Sequence, residues 1–187
     1  MSDPEKIYFI NYLDSIDESK VKNLMRFCTD ILTQQRPDVL YFCFSSSGGF
    51  VAPGITLYNF LMALPVKVIM HNTGSIDSIA TVIFLAGAER YAVPNSTFLF
   101  HGIQYTFSQP ASLTINQLKE KVSSLEEDQN RMASIVAERT KLDEDEIRLL
   151  FRQGAAKDPE FAMNKEYIHA IRNLSIPANA GITSFNL

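Results

Sequence analysis

The first third of the chain alternates short apolar runs with stretches in which apolar residues recur every three or four positions. Residues 6–12, KIYFINY, are β-branched and aromatic and predict a strand. A helix is expected next, because apolar residues recur at helical spacing from Val21 to Leu32 and Pro37 marks the exit. Residues 38–44, DVLYFCF, are almost continuously apolar and predict a strand covered on both faces.

The pattern continues with a second helix, a third strand and a third helix. The second helix carries Pro53 near its start, residues 66–71 predict the strand, and the third helix is expected over about 77–88. Two short strands are expected after it, near 90–93 and 97–101. Strands separated by helices predict βαβ units and an α/β fold with a mostly parallel sheet. Functional sites of such sheets lie beyond the carboxyl ends of the strands.

The second half of the chain contains one long amphipathic helix. Thr114 and Gln117 form a capping box, and the helix is expected to continue to about Arg139. Its apolar positions form a narrow seam that suits packing against another helix, in the same chain or in a partner. The alternative is a helix that covers the core within one subunit. The seam consists of Leu118, Val122, Leu125, Met132 and Val136.

The chain is expected to end in a second capped helix and a loosely attached tail. Asp143 and Glu146 form another capping box ahead of an apolar run. Residues 176–187 are rich in small and polar side chains, so we expect them to hang loosely or to lie on the surface.

Composition removes several classes of protein. With 187 residues, 46% hydrophobic and 20% charged, the chain is expected to form one globular domain. A net charge of −4 argues against nucleic acid as the main partner, and no apolar run is long enough to span a membrane. The amino terminus lacks the pattern of a secretory signal. We therefore expect a soluble, cytoplasmic protein.

The cysteines and histidines do not indicate a metal site. Cys28 and Cys43 lie in apolar segments and are expected to be buried free thiols. The three histidines show no metal-ligand spacing with each other or with the cysteines. Neither a metal nor another cofactor is predicted.

Three short segments carry candidate chemistry. Residues 45–51, SSSGGFV, contain paired glycines whose N–H groups could approach a ligand, although such a pair is usually only a turn. In residues 74–80, GSIDSIA, Ser78 lies at the start of the expected helix, where the helix dipole and the Ile79 N–H would favour a developing anion. A helix cap is the common alternative. His101 ends an apolar strand, where a proton acceptor could act, although a core histidine is commoner.

Together these segments resemble the ClpP family of serine peptidases, within the crotonase-like superfamily. The family's motif N-S-P-G-G-x-V-x-x-G-x-x-I-Y is similar to residues 45–58. Its motif G-x-A-A-S-M-G-A and the later A-G-A are matched in spacing by residues 74–78 and 86–88. The family's P-N-S-x-x-x-x-H is matched outright by residues 94–101, and the resemblance covers about 6–173.

The resemblance implies a serine endopeptidase that hydrolyses peptide bonds of unfolded proteins or peptides. Ser78 would be the nucleophile and His101 its general base. The backbone N–H groups of Gly48 or Gly49 and of Ile79 would form the oxyanion hole.

The resemblance also implies a spiral of βαβ units with a protruding handle helix, as a single domain over residues 1–187. Its head would comprise residues 6–102 and 140–173, its handle 103–139 and its tail 174–187. The handle would interleave with an opposing ring, so a homo-oligomer of stacked heptameric rings is expected.

The third member of the catalytic triad is missing from its expected position. Counted without a gap from Thr140, the family's aspartate falls on Gly154, which cannot orient a histidine. Asp158 could replace it if the loop shifts, whereas Asp77 is expected to point elsewhere. Two more arrangements stay open, namely a Ser–His dyad and an apo state that rearranges.

Two further departures concern partners and substrate. The segment that precedes the first strand is shorter than in ATPase-dependent members, so docking to a Clp-type ATPase is doubtful. Ile76 and Asp77 replace a pair of alanines, and Gly102 stands where a proline usually follows the histidine. An altered substrate groove is expected.

Three functions fit these observations. An active ClpP-like serine peptidase is preferred, and Gly154 supports a catalytically inactive ClpP-like subunit with an assembly or regulatory role. A crotonase-type enzyme acting on acyl-CoA would use a similar oxyanion hole, but the spacing of Ser78 and His101 speaks against it.

Overall fold

The strands and helices of the first third lie close to where the hydrophobic pattern predicts them. The computed structural model describes residues 5–106, 112–178 and 180–185. Its strands are β1 (Ile7–Leu13), β2 (Val39–Ser46), β3 (Lys67–Asp77), β4 (Glu89–Ala92), β5 (Thr97–Leu99), β6 (Ala156–Lys157), β7 (Ala170–Ile171) and β8 (Gly181–Ser184). Its helices are α1 (Glu18–Gln35), α2 (Val51–Met62), α3 (Ala80–Phe84), α4 (Ile115–Arg139), α5 (Glu144–Gln153) and α6 (Pro159–Asn164).

The strands form one mostly parallel sheet. Its neighbours run in the order β6-β5-β3-β2-β1-β8, with β4 beside β3 and β7 beside β4. The pair β5–β6 is antiparallel, whereas the pairs that involve β1 to β4 are parallel. The predicted α/β fold built from βαβ units is therefore confirmed.

β2 is buried on both faces of the sheet, as its continuous apolar run predicts. Residues 39–44 are all buried. One face packs against helices that include α1, whose stripe of Val21, Leu24, Cys28 and Ile31 is buried. The other face forms a smaller cluster around Tyr41 and Cys43.

β3 is longer than predicted, and the helix after it is shorter. The first part of β3 pairs with β4 and the last part, Ser75–Asp77, pairs with β5. The prediction of a helix over 77–88 is wrong in its length, because hydrogen bonding to β5 keeps the chain extended as far as Asp77. Only five residues form α3, so the helix dipole behind Ser78 is short.

α4 covers the core with one half and exposes the other. The predicted capping box of Thr114 and Gln117 is present. Met132 and Val136 are buried, whereas the side chains of Leu118 and Val122 are 48% and 53% exposed. The core-covering alternative therefore holds for the carboxyl-terminal half, and the seam of the other half has no cover among the described residues. The second predicted capping box, Asp143 with Glu146, is also present and begins α5.

The carboxyl-terminal segment is attached to the sheet. β8 pairs in parallel with β1, and Phe185 is buried and stacks on Tyr12 with ring centroids 5.6 Å apart. Residues 181–184 are mostly exposed, so the expectation of a surface position is confirmed for them. The alternative of a loose tail is wrong for 181–185, because the free edge of β1 supplies backbone hydrogen-bond partners. Residues 179, 186 and 187 lie outside the described part.

Both cysteines are buried free thiols, as predicted. Burial raises the pKa of the Cys28 thiol to about 12 and that of Cys43 to about 11, so neither is poised as a nucleophilic thiolate. Among the described residues, no helix combines the length and apolar character needed to cross a membrane. The same residues contain no group of three His, Cys, Asp or Glu side chains arranged to hold a metal ion.

Candidate functional site

Ser78 lies in the turn between β3 and α3 and has left-handed backbone geometry. Its φ is 57°, a region that costs an L-residue about 1–2 kcal/mol. The Ser78 N–H donates a hydrogen bond of 2.9 Å to the carbonyl of Leu99, which fixes the turn against β5. A serine on a sharp turn between a strand and a helix is typical of hydrolase nucleophiles.

Gly48 packs its backbone directly against this turn. A Cβ added at Gly48 would lie 2.6 Å from the carbonyl oxygen of Asp77 and 2.7 Å from Cβ of Ser78. Its φ of +80° also disfavours any residue with a side chain. Gly49 has φ +154°, and an added Cβ would lie 2.1 Å from the carbonyl oxygen of Ile16. Both positions therefore require glycine, and the Gly-Gly bend and Ser78 form one packed unit.

Two amides in this described part of the chain, those of Gly49 and Ile79, make no hydrogen bond that occupies them. The Gly48 N–H donates to Oγ of Ser46 at 3.1 Å, so it is already engaged. The N–H groups of Gly49 and Ile79 have no hydrogen-bond acceptor among the described residues. Both remain available to a negatively charged oxygen, which is the chemical requirement of an oxyanion hole.

Ile79 packs tightly against α2. The Ile79 side chain is fully buried, and a Cβ added at Gly54 would lie 2.2 Å from its Cγ1. Only a residue without a side chain at position 54 leaves room for Ile79.

His101 lies just beyond β5, next to the end of β3. β3 and β5 pair in parallel as far as Asp77 opposite Leu99, so Ser78 follows this last pair by one residue and His101 by two. The imidazole is partly exposed, and its Nδ1 lies 2.7 Å from the carbonyl oxygen of Gly102. Nε2 has no partner in the described part of the chain. Backbone pairing thus brings Ser78 and His101 to adjacent strand ends.

No hydrogen bond joins Oγ of Ser78 to the His101 imidazole among the described residues. Catalytic hydrogen bonds are often long or misaligned in apo structures and tighten when substrate binds. The structure therefore brings a hydroxyl and an imidazole to neighbouring strand ends without a hydrogen bond between them.

Position 154 lies beside His101, where the family resemblance predicts an acid. β5 and β6 pair antiparallel with Leu99 opposite Ala156, a register that continues to place Gly154 opposite His101. A Cβ added at Gly154 would lie 3.9 Å from Cβ of His101. Gly154 is the C-cap of α5 with φ 58°, and its N–H donates to the Leu150 carbonyl at 3.1 Å. The residue therefore ends a helix and supplies no carboxylate.

Asp158 is placed away from the imidazole. Its carboxylate caps α6 and accepts a hydrogen bond of 2.8 Å from the Phe161 N–H. The β5–β6 register places it opposite Thr97, four residues before His101 and therefore ~13 Å along the strand at about 3.3 Å per residue. The structure does not bring Asp158 to His101, and its role as third member stays a prediction.

Asp77 is the carboxylate whose charge is coupled to His101. It is partly exposed and paired with Leu99, on the less buried face that alternates with Ile76. Burial raises the pKa of the Asp77 carboxyl, and the positive charge of His101 acts in the opposite direction. No hydrogen bond joins the Asp77 carboxylate to His101 among the described residues, and our expectation that Asp77 points elsewhere stays a prediction.

Sequence reasoning missed three contributors to this site. Ser46 engages one of the two glycine amides, Gly54 makes room for Ile79, and the carbonyl of Gly102 binds the imidazole. A small residue at position 54 was visible as part of the family motif. The other two contacts are hydrogen bonds that involve backbone groups, and the residue type does not predict where these lie.

Comparison with known proteins shows the family of this chain. The model of the Clp protease family matches residues 6–167, and the chain therefore belongs to that family. A curated relative is the ATP-dependent Clp protease proteolytic subunit 2 of Pseudomonas aeruginosa, which is 30% identical over 127 residues. The aligned region covers 67% of this chain and 61% of the Pseudomonas protein, so the match spans less than two thirds of that relative's length.

Proposed function

We propose that this chain is a serine endopeptidase that cleaves peptides or unfolded proteins through Ser78 and His101. The observation that supports this most is the pairing of β3 with β5, which sets the two residues at adjacent strand ends. Gly48, the neighbour of Gly49, packs against the turn that carries Ser78 and Ile79. Family membership supports peptide-bond hydrolysis as the reaction.

In the first half of the reaction, Nε2 of His101 takes the hydroxyl proton of Ser78 as Oγ attacks the scissile carbonyl carbon. The carbonyl π electrons move onto the oxygen, giving a tetrahedral intermediate with one negative charge. His101 then donates the proton to the leaving amine as the C–N bond breaks, which leaves an acyl ester on Ser78. Water repeats the sequence in the second half and releases the acid product and free Ser78.

The amides of Gly49 and Ile79 would stabilise the charge that develops on the carbonyl oxygen. Loss of one such donor costs about 2.7–4 kcal/mol of transition-state stabilisation in serine peptidases. Because the Gly48 N–H already bonds to Ser46, we assign the glycine donor to Gly49.

The proposal assigns catalysis to a Ser–His pair and leaves Asp158 as a helix cap. The carboxylate of Asp158 is occupied by the Phe161 N–H, and its position is remote from the imidazole. Gly154 stands where the family has its acid, so the pair works without a carboxylate from that position.

Assembly is proposed from the exposed half of α4. Leu118 and Val122 present an apolar surface on the solvent side of a helix whose other half is anchored in the core. Stacked rings of the kind expected from the family resemblance would cover this surface. The Pseudomonas relative is named as an ATP-dependent subunit. For this chain, our expectation that docking to a Clp-type ATPase is doubtful stays a prediction, as does the cytoplasmic location.

A catalytically inactive subunit is the second candidate. Gly154 supplies no acid beside His101, and no hydrogen bond joins the hydroxyl of Ser78 to the imidazole within the described residues. Such a subunit would keep the fold and the assembly surface while turning over no peptide.

A serine-directed fluorophosphonate separates the two candidates. Covalent labelling of the wild-type chain that is lost in Ser78→Ala and kept in Ser47→Ala supports the peptidase. Ser47 is a matched control because it is an exposed serine next to the same Gly-Gly bend. Absence of labelling at every pH and protein concentration tested would support the inactive subunit, whereas saturable binding of coenzyme A would point to acyl-CoA chemistry.

A further inference from the structure

We propose that the backbone carbonyl of Gly102 is the positioning group of His101, in the place where related peptidases use a carboxylate. This inference rests on the function proposed above, because it concerns the base of that reaction. Nδ1 of His101 lies 2.7 Å from the Gly102 carbonyl oxygen, which can only accept a hydrogen bond. The hydrogen of the neutral imidazole is therefore on Nδ1.

The Gly102 carbonyl belongs to an anchored stretch of backbone. The Gly102 N–H donates a hydrogen bond of 2.9 Å to the carbonyl of Phe151, a buried residue near the end of α5. The next residue, Ile103, packs its side chain against the core. Both contacts restrict the peptide that carries the carbonyl. A proline at position 102 has no N–H and would lose the bond to Phe151.

The contact performs one of the two tasks of a catalytic acid. A hydrogen on Nδ1 leaves the lone pair on Nε2, which is the nitrogen that must accept the proton of Ser78. The second task, stabilising the imidazolium by a full negative charge, is performed less well by a neutral carbonyl, because hydrogen bonds to ionised groups are roughly twice as strong. The site should therefore be active but slower than one with a carboxylate.

Because residue 154 has no side chain, the carbonyl of Gly102 can bind Nδ1 of His101 without a competing group from that position. Gly154 lies beside His101 and presents nothing that competes for Nδ1. Asp158 is engaged at the start of α6. Asp77 lies within electrostatic range on the neighbouring strand, but its carboxylate accepts no hydrogen bond from His101 among the described residues. Asp77 is thus the competing candidate, and the test must separate it from Gly102.

The other two histidines provide internal controls for a tautomer measurement. Nε2 of His71 lies 3.1 Å from the Arg172 carbonyl oxygen, so its hydrogen must be on Nε2. Nδ1 of His169 accepts a hydrogen bond of 2.9 Å from the Arg90 N–H, so its hydrogen is also on Nε2. His101 is thus the one histidine of the three for which the structure assigns the Nδ1–H form.

The first test is nitrogen NMR of the full chain with labelled histidine, at a pH where the rings are neutral. We expect one Nδ1–H ring and two Nε2–H rings, and the Nδ1–H signals should vanish in His101→Gln. The pattern should persist in Asp77→Asn and Asp158→Asn. An Nε2–H form for His101, or a change of its tautomer in Asp77→Asn, would overturn the proposal.

The second test weakens the carbonyl itself. Replacing Ile103 by its α-hydroxy acid converts the Gly102 amide into an ester, whose carbonyl is a poorer acceptor; the Ile103 N–H that is lost has no acceptor in the described residues. We expect fluorophosphonate labelling of Ser78 to slow about three- to tenfold, the value of one neutral hydrogen bond. The same ester at Gln104 weakens a carbonyl that accepts nothing among the described residues, and it should leave the rate unchanged.

Equal rates for the two esters would contradict the proposal. Failure of this inference is distinguishable from failure of the proposed function. Labelling of Ser78 with His101 in the Nε2–H form would refute the positioning role alone. A protein that is never labelled, but whose His101 is Nδ1–H, would refute the peptidase and leave the contact with Gly102 as a structural one.

Discussion

Restoring an acid beside His101 should increase the rate at which Ser78 reacts, but only modestly. Gly154→Asp places a carboxylate where an added Cβ is 3.9 Å from Cβ of His101, an ordinary van der Waals distance. The φ of 58° at this position is one that Asp and Asn adopt more readily than other residues with side chains. The variant should therefore keep the fold, and Gly154→Asn is the neutral control with nearly the same shape.

The size of the gain follows from what the Gly102 carbonyl already supplies. Loss of the correct tautomer accounts for about four orders of magnitude in serine peptidases, but here the carbonyl already fixes it. The remaining difference is between a neutral hydrogen bond, about 1 kcal/mol, and one to a charged group, about 1.5–3 kcal/mol. About 1.4 kcal/mol corresponds to tenfold in rate.

The assay is the second-order rate of fluorophosphonate labelling and, with a peptide substrate, kcat/KM. Gly154→Asp should exceed Gly154→Asn by about tenfold. A gain near four orders of magnitude would mean that the wild-type tautomer is not fixed, whereas equal rates in two folded variants would mean that position 154 does not reach the base. Either result would refute the reasoning.

Three further predictions concern the cap, the assembly surface and the response to pH. Asp158→Ala should lower the free energy of unfolding by about 1 kcal/mol through loss of a helix cap, while labelling of Ser78 is unchanged; lost labelling would make Asp158 the third member. Leu118→Asp combined with Val122→Asp should reduce the oligomer mass measured by light scattering, whereas Ser124→Asp, on the opposite face of α4, should not. An unchanged mass in both variants would exclude this surface as an assembly interface. Burial lowers the pKa of His71, so on acidification below about pH 6.5 the imidazole takes up a proton in the unfolded chain before it does so in the folded protein. Denaturant titrations should therefore show a free energy of unfolding that falls from about pH 7 to about pH 5. The slope should be shallower in His71→Gln, and an equal slope would remove His71 as its source.

Amphipathic and continuously apolar segments were predictable because their signal is local. The buried stripe of α1, the doubly covered β2 and the two capping boxes fall where the pattern places them. The length of β3 and the existence of β8 depend on pairing with strands elsewhere in the chain. A short polar segment such as Gly181–Ser184 contains no signal for such pairing.

The candidate site, too, was predictable only in part. Spacing along the chain singled out Ser78, His101 and the glycines as candidates, and the structure places Ser78 and His101 just beyond adjacent strand ends, with Gly48 packed against Ser78. The groups that complete the arrangement are the hydroxyl of Ser46 and the carbonyl of Gly102. Because any residue has a backbone carbonyl, only coordinates could reveal which one faces the imidazole.

The central claim is that His101 activates Ser78, and it is tested most directly by the rate of fluorophosphonate labelling in His101→Gln. General-base assistance by a positioned side chain contributes about 10²–10⁴ in rate. We therefore expect labelling of Ser78, mapped by mass spectrometry, to slow at least about a hundredfold in a variant that unfolds at the wild-type temperature, in line with that range. Labelling of Ser78 at the wild-type rate in that variant would contradict the account.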